Sequence, residues 1–160
     1  MKLQKLITIL LFITLLIQIQ TITAQSEMVK SYNKNVIHGS LGLFLTANTF
    51  YDRILSNYNS ETKFAVFSRV GYSLYAIPSM NGSSIGNMLS LQGGFFTGKK
   101  FSHFETTLGM LYQNSFDDDY SAFRPALSIG YRGHKPGGKF MFRIGVGFPE
   151  LMYTGVGYSF

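Results

Sequence analysis

From about residue 36 to its last residue, this chain alternates apolar with small or polar side chains at a period of two. No helical period interrupts the pattern. The final stretch shows it most clearly. Met152, Thr154, Val156, Tyr158 and Phe160 fall on one face of an extended strand, and Tyr153, Gly155, Gly157 and Ser159 on the other. The last residue is an aromatic with no polar tail. That ending predicts a strand that stops at a membrane interface, with acyl chains against one face and a crowded barrel interior against the other.

Six further alternating stretches precede it, at about 36–53, 63–77, 84–97, 101–113, 120–132 and 139–148. Their apolar faces carry Ile37, Leu41, Leu43, Leu45, Val66, Val70, Leu89, Leu91, Leu108, Leu127 and Ile144, among others. Their opposite faces carry His38, Ser40, Asn48, Arg69, Ser90, Glu105, Ser128 and Arg143. Turn residues separate most of them: Pro78–Gly82, Gly98–Lys100, Asn114–Asp119, Gly133–Gly138 and Pro149–Glu150. Short connections predict antiparallel hairpins. Seven strands cannot bring both termini of an up-and-down barrel to one side, so an eighth is expected. It lies either in Glu27–Asn35 or within 36–53, read as two strands. Pro125, on the apolar face of the 120–132 strand, predicts a bulge or a break in the ladder.

Residues 1–24 have the form of a cleaved secretory signal: Lys2 and Lys5, an apolar run from Leu6 to Ile17, and small residues around Thr21–Ala24. Residues 25–160 then form one domain. The formal net charge is +6, two of it from those lysines, and it is too scattered to imply nucleic acid as a partner. The chain has no cysteine, so a secreted domain of this size must be held by packing or by a closed hydrogen-bonded sheet. After the signal no apolar run is long enough for a membrane helix, and strands must make any span.

Alternation alone does not say which face is the inside. The polar face here is rich in Gly, Ser and Ala, which suit a narrow eight-stranded interior. The apolar face carries aromatics near strand ends (Tyr72, Phe104, Tyr112, Phe123, Tyr131, Phe148, Tyr158), as interfacial girdles require. The fold expected is therefore all-β: a transmembrane, antiparallel, up-and-down β-barrel of about eight strands, not a soluble lipocalin-like barrel with its apolar face inside. Arg69, Glu105, Arg124, Arg132 and Arg143, with His38 and His103, then face the lumen as a polar network. Glu105 is the central acceptor and the only enclosed carboxylate. The excess of arginine implies waters, backbone carbonyls or an anion as further partners.

Gly98-Lys-Lys-Phe-Ser-His-Phe-Glu105 with Gly109, Ile129-Gly-Tyr-Arg132, Phe142-Arg-Ile-Gly145 and Gly157-Tyr-Ser-Phe160 occur in an order that resembles the small outer-membrane β-barrel proteins of Bacteroidetes-type bacteria, of the OmpA/OmpX type. The resemblance spans roughly 36–160. It implies an outer-membrane location, with lipids and lipopolysaccharide as surroundings. It also implies that Phe160 belongs to the signal read by the barrel-assembly machinery. With Phe160 periplasmic, the Lys99–Lys100 and Lys135–Lys139 turns share its side, and Asp117–Asp119 and Glu150 point outward.

The function expected is structural, in the envelope, without enzymatic activity, cofactor or metal. A narrow channel or small-ligand carrier is the alternative, and a lipid-modifying enzyme a third. Ser40, His38 and Glu105 are the residue types an acyl hydrolase needs, and an ordinary lumenal role is favoured for all three. Asp117–Asp119 lacks the spacing of a calcium loop, and His38, His103 and His134 lack that of a zinc site.

Overall fold

The computed structural model describes residues 32–43, 45–56, 64–79, 82–116 and 120–160. The signal segment and the Asp117–Asp119 run lie outside the described residues. Eight strands follow in chain order: β1 (Asn35–Gly42), β2 (Thr46–Ile54), β3 (Phe64–Ser79), β4 (Gly82–Lys99), β5 (Ser102–Ser115), β6 (Ser121–His134), β7 (Phe140–Phe148) and β8 (Leu151–Ser159). Each pairs antiparallel with its sequence neighbour, and β1 pairs antiparallel with β8, closing the barrel. Closure leaves no full-length edge strand, which is how an all-β chain without disulfides satisfies its backbone.

The eighth strand comes from the long first stretch, which is a hairpin. Gly42 pairs with Thr46 and Ile37 with Tyr51, so every residue faces a partner of the same parity. Alternation therefore runs through the turn unbroken. The turn itself holds Leu43 and Leu45, and Leu45 takes a positive φ of 49°, a conformation usually left to Gly or Asn.

The sidedness is inverted relative to a soluble protein. Leu41, Leu43, Leu91, Leu108, Met110 and Val156 are more than half exposed on the outer face, while Arg69, Arg132, Asp52 and Glu105 are at most 1% exposed inside. Two apolar layers bracket the enclosed charges. Tyr32, Ile54, Ala65, Phe67 and Phe96 pack toward the end holding both termini of the barrel. Tyr75, Met88, Leu111 and Ala126 pack toward the opposite end.

The wall is taller on one side. β3 to β6 are 14–18 residues long, whereas β1, β2, β7 and β8 are 8–9. Pairing of β6 with β7 begins only at Leu127. This explains Pro125, where no bulge forms: the β5–β6 register runs without a slip from Ser102↔Gly133 to Asn114↔Ser121, with Met110 opposite Pro125. Proline is tolerated because this part of β6 extends past β7 as a local edge that needs no amide donor on that side.

The enclosed ion network as candidate functional site

Three arginines and two carboxylates meet at the middle of the interior. Asp52 on β2 takes a two-bond fork from Arg69 on β3, Nε to Oδ1 at 2.6 Å and Nη2 to Oδ2 at 2.9 Å. Arg132 on β6 donates from Nη1 to both carboxylates, at 3.1 Å to Asp52 Oδ2 and 3.0 Å to Glu105 Oε2. Glu105 on β5 also accepts from Arg69 Nη2 at 3.2 Å and from Arg143 Nη2 at 2.5 Å. Five of the eight strands, β2, β3, β5, β6 and β7, supply these groups, so the network ties the wall together across its diameter.

Aromatic rings hold the guanidinium planes in place. Arg69 lies over Phe50 and Phe67 at 5.3 and 5.0 Å, Arg132 over Phe67 and Phe96 at 5.5 and 4.8 Å, and Arg143 over Tyr153 at 4.9 Å. A flat cation against a ring face gains from the ring quadrupole, and more so when water is excluded. Room for Tyr153 comes from Gly145 and Gly130, where an added Cβ would come within 2.5 and 2.6 Å of the Tyr153 hydroxyl. The small residues on the inward face are thus spaces for specific rings.

His38 completes the network on β1. Its Nε2 donates to Asp52 Oδ1 at 3.2 Å, and its Nδ1 accepts from Arg143 Nη1 at 3.4 Å. A neutral ring protonated on Nε2 satisfies both contacts. Ser40 does not reach His38; its hydroxyl accepts from Asn48 Nδ2 at 3.2 Å. Ser40, His38 and Glu105 are therefore not joined in the relay that acyl hydrolysis requires.

Three expectations from the sequence change. Glu105 is not the only enclosed carboxylate, because Asp52 is fully buried beside it. Asp52 shares its parity with Thr46 and Asn48, so the alternation of the 36–53 stretch held the signal. Arg124 stands apart from the network. It has inward parity, but it lies where β6 outruns β7, and its Nη2 donates to the Tyr120 hydroxyl at 3.0 Å in an exposed pair. Glu150, expected in an outward loop, folds back over the interior, where the short β7–β8 turn meets β1 through Leu43 N–H and the Glu150 carbonyl at 3.2 Å.

His103 belongs to a second cluster at the end with the barrel termini. Tyr32 enters the interior ahead of β1. Its hydroxyl donates to the Lys100 carbonyl at 3.0 Å and lies 2.8 Å from His103 Nε2, which itself donates to the His134 carbonyl at 2.9 Å. The Tyr32 ring meets Phe96, His103 and His134 edge-on. Tyr32 precedes any alternating pattern, so period-two reasoning had no hold on it. Phe160 caps the seam between first and last strands, exchanging backbone hydrogen bonds with Asn35 at 2.9 and 3.2 Å.

Above the network lies a small chamber, bounded by Arg69 and Arg143 below, by Asn48 and Ser90 at the sides, and by Pro149 and Glu150 above. It leaves about 20 Å³ for the centres of water molecules, enough for one or two. No protein-family model, curated protein or solved structure matches this chain.

Proposed function

We propose that this protein is an integral outer-membrane β-barrel with a structural role in the cell envelope. The observation that carries the proposal is the sidedness of the wall: leucines, valines and phenylalanines face out, and guanidiniums and carboxylates are sealed in. In water that arrangement would expose a continuous apolar surface far beyond what a soluble monomer carries. In a bilayer it is the lower-energy arrangement, since an arginine facing hydrocarbon at mid-membrane costs about 2–4 kcal/mol. The strands of 8–9 residues on the low side approach the length a tilted strand needs to cross the hydrocarbon.

The filled interior favours a structural role over conduction. Five charged side chains, two of them shared acceptors, cross the lumen with almost no exposure, and apolar layers lie on both sides of them. A water column would have to break this network to form. The end bearing the barrel termini is then periplasmic, together with the Lys100 and Lys135–Lys139 turns, and Glu150 lies at the external end.

Fractionation of cells expressing the full chain tests this reading. The protein should appear in the outer-membrane fraction, need detergent for release, and migrate faster on gels before boiling than after. Release by salt or alkaline wash without detergent would refute it. Steady single-channel conductance in planar bilayers would refute the structural role in favour of a channel.

A further inference from the structure

Outside the lumen, charge is sorted by end. Lys34 ahead of β1, Arg53 near the end of β2, Lys100 between β4 and β5, and Lys135 and Lys139 between β6 and β7 are all exposed, and all lie at the end bearing the barrel termini. The backbone ties them into one rim. The Ile54 amide donates to the Lys34 carbonyl and the Ser159 amide to the Lys139 carbonyl, each at 2.7 Å. The Tyr32 hydroxyl lies 3.0 Å from the Lys100 carbonyl and 3.3 Å from that of His134, next to Lys135. Among the described residues none of these cations makes an ion pair. Of the described carboxylate side chains, Asp52 and Glu105 are sealed in the lumen and Glu150 lies at the opposite end.

The Phe160 carboxylate, counted against these five cations, still leaves four positive charges. In the adjoining sequence Glu27 offsets Lys30 and Glu61 offsets Lys63. The opposite end differs: Arg124 is its one described cation outside the lumen, and the β5–β6 connection there carries Asp117, Asp118 and Asp119 in its sequence. Exposed rings fix the height of the basic rim. Phe101 follows Lys100 and Phe140 follows Lys139, with Phe140 edge-on to Tyr158 at 6.0 Å. Outward aromatics at strand ends settle where hydrocarbon gives way to headgroups, and a lysine stem one residue beyond reaches the level of the phosphates. The cations are spread over several strand ends and do not converge on one point, an arrangement that meets several neighbouring lipids and not a single soluble ligand.

We propose that this rim is an interaction surface for anionic phospholipids: Lys34, Arg53, Lys100, Lys135 and Lys139 enrich them around the barrel in the leaflet at the end bearing its termini, and the opposite rim has no such preference. The inference rests on the membrane reading above and adds the headgroup chemistry to it. The attraction is electrostatic, so it weakens with salt. A lysine or arginine at the membrane surface favours an anionic lipid about fivefold. Fivefold enrichment in one leaflet and none in the other averages to about threefold over the whole perimeter.

The test uses the full-length barrel reconstituted into phosphatidylcholine bilayers with a trace of spin-labelled phosphatidylglycerol or spin-labelled phosphatidylcholine. The motionally restricted fraction of each label in electron spin resonance gives their relative association with the protein. Phosphatidylglycerol should be favoured about threefold in low salt, falling toward onefold in 1 M sodium chloride. Replacing Lys34, Lys100, Lys135 and Lys139 together by Gln should abolish most of the preference, and replacing the same four by Arg should keep it. Heat-modifiable mobility checks that both variants fold. Arg124→Gln, at the opposite end, should leave the preference unchanged. Equal association of the two lipids, a preference that survives 1 M salt or the four Gln substitutions, or its loss in Arg124→Gln would each overturn the proposal while leaving the membrane barrel intact. A barrel that restricts neither label would overturn the membrane reading itself, and the proposal with it.

Discussion

Glu105→Gln is the sharpest perturbation of the interior because it is nearly isosteric and removes only charge. The wild-type carboxylate accepts three charge-assisted hydrogen bonds, from Arg69 and Arg143 on Oε1 and from Arg132 on Oε2. An amide can keep one oxygen. If that oxygen stays with Arg69 and Arg143, the new NH2 confronts Arg132 Nη1, donor against donor. Hydrogen bonds to charged groups contribute about 1.5–3 kcal/mol each. One is lost outright, two are weakened to a neutral acceptor, and three arginines are left with Asp52 as their enclosed counter-charge. Breaking a buried pair in this way costs about 3–5 kcal/mol. With a urea m-value of about 2 kcal/mol per molar, the midpoint should fall by about 2 M. Urea titration of the refolded barrel, read by circular dichroism and by heat-modifiable mobility, measures it. A fall of less than about 0.3 M, or roughly 0.5 kcal/mol, would refute the reasoning that the network holds the wall together.

Arg124→Gln should change stability by no more than about 0.5 kcal/mol in the same assay, since its exposed bond to Tyr120 lies outside the network. Gly94→Ala should cost about 1–3 kcal/mol, because its Cβ would meet Phe67 at 2.6 Å and the Thr106 carbonyl at 2.7 Å, whereas Gly93→Ala, with nothing within 4 Å, should be close to neutral. Glu150 gives a pH signature of its own. Its folded-state pKa stands above the ordinary 4.5, so the stability it contributes is complete below that value and is lost as pH rises through the raised one. The stability of wild type relative to Glu150→Gln should therefore decline between pH 4 and pH 8, and a difference that grows with pH would show that the carboxylate form is the favoured one.

Much of this architecture is legible in the sequence because a β-barrel repeats one simple rule. Parity placed Arg69, Arg132, Arg143, Glu105 and His38 inside, and the same parity holds along every strand. What parity could not show were the events that leave it unchanged or lie beyond it. The β1–β2 hairpin could be offered only as one of two places for the eighth strand, because its register conserves parity and its turn carries Leu43 and Leu45 where Gly, Asn or Pro are usual. Arg124 has the right parity at the wrong height, since strand length relative to neighbours sets which inward residues are enclosed, and alternation does not encode it. Glu150 was displaced by tertiary geometry: a short turn on the low side of the barrel falls across the opening, a position no local pattern specifies. Tyr32 plugs one end through long-range contacts with Lys100, His103 and His134.

The central claim is that the apolar outer face touches acyl chains. The absence of cysteine allows spin labels to be attached at single introduced sites without background. Labels at Leu43→Cys, Leu108→Cys and Ile144→Cys in the barrel reconstituted into bilayers should collide with lipid-soluble oxygen and be shielded from a water-soluble nickel complex, most strongly at 108 and 144. Labels at 108 and 144 that collide freely with the nickel complex and poorly with oxygen would show that the outer face meets water, contradicting the account.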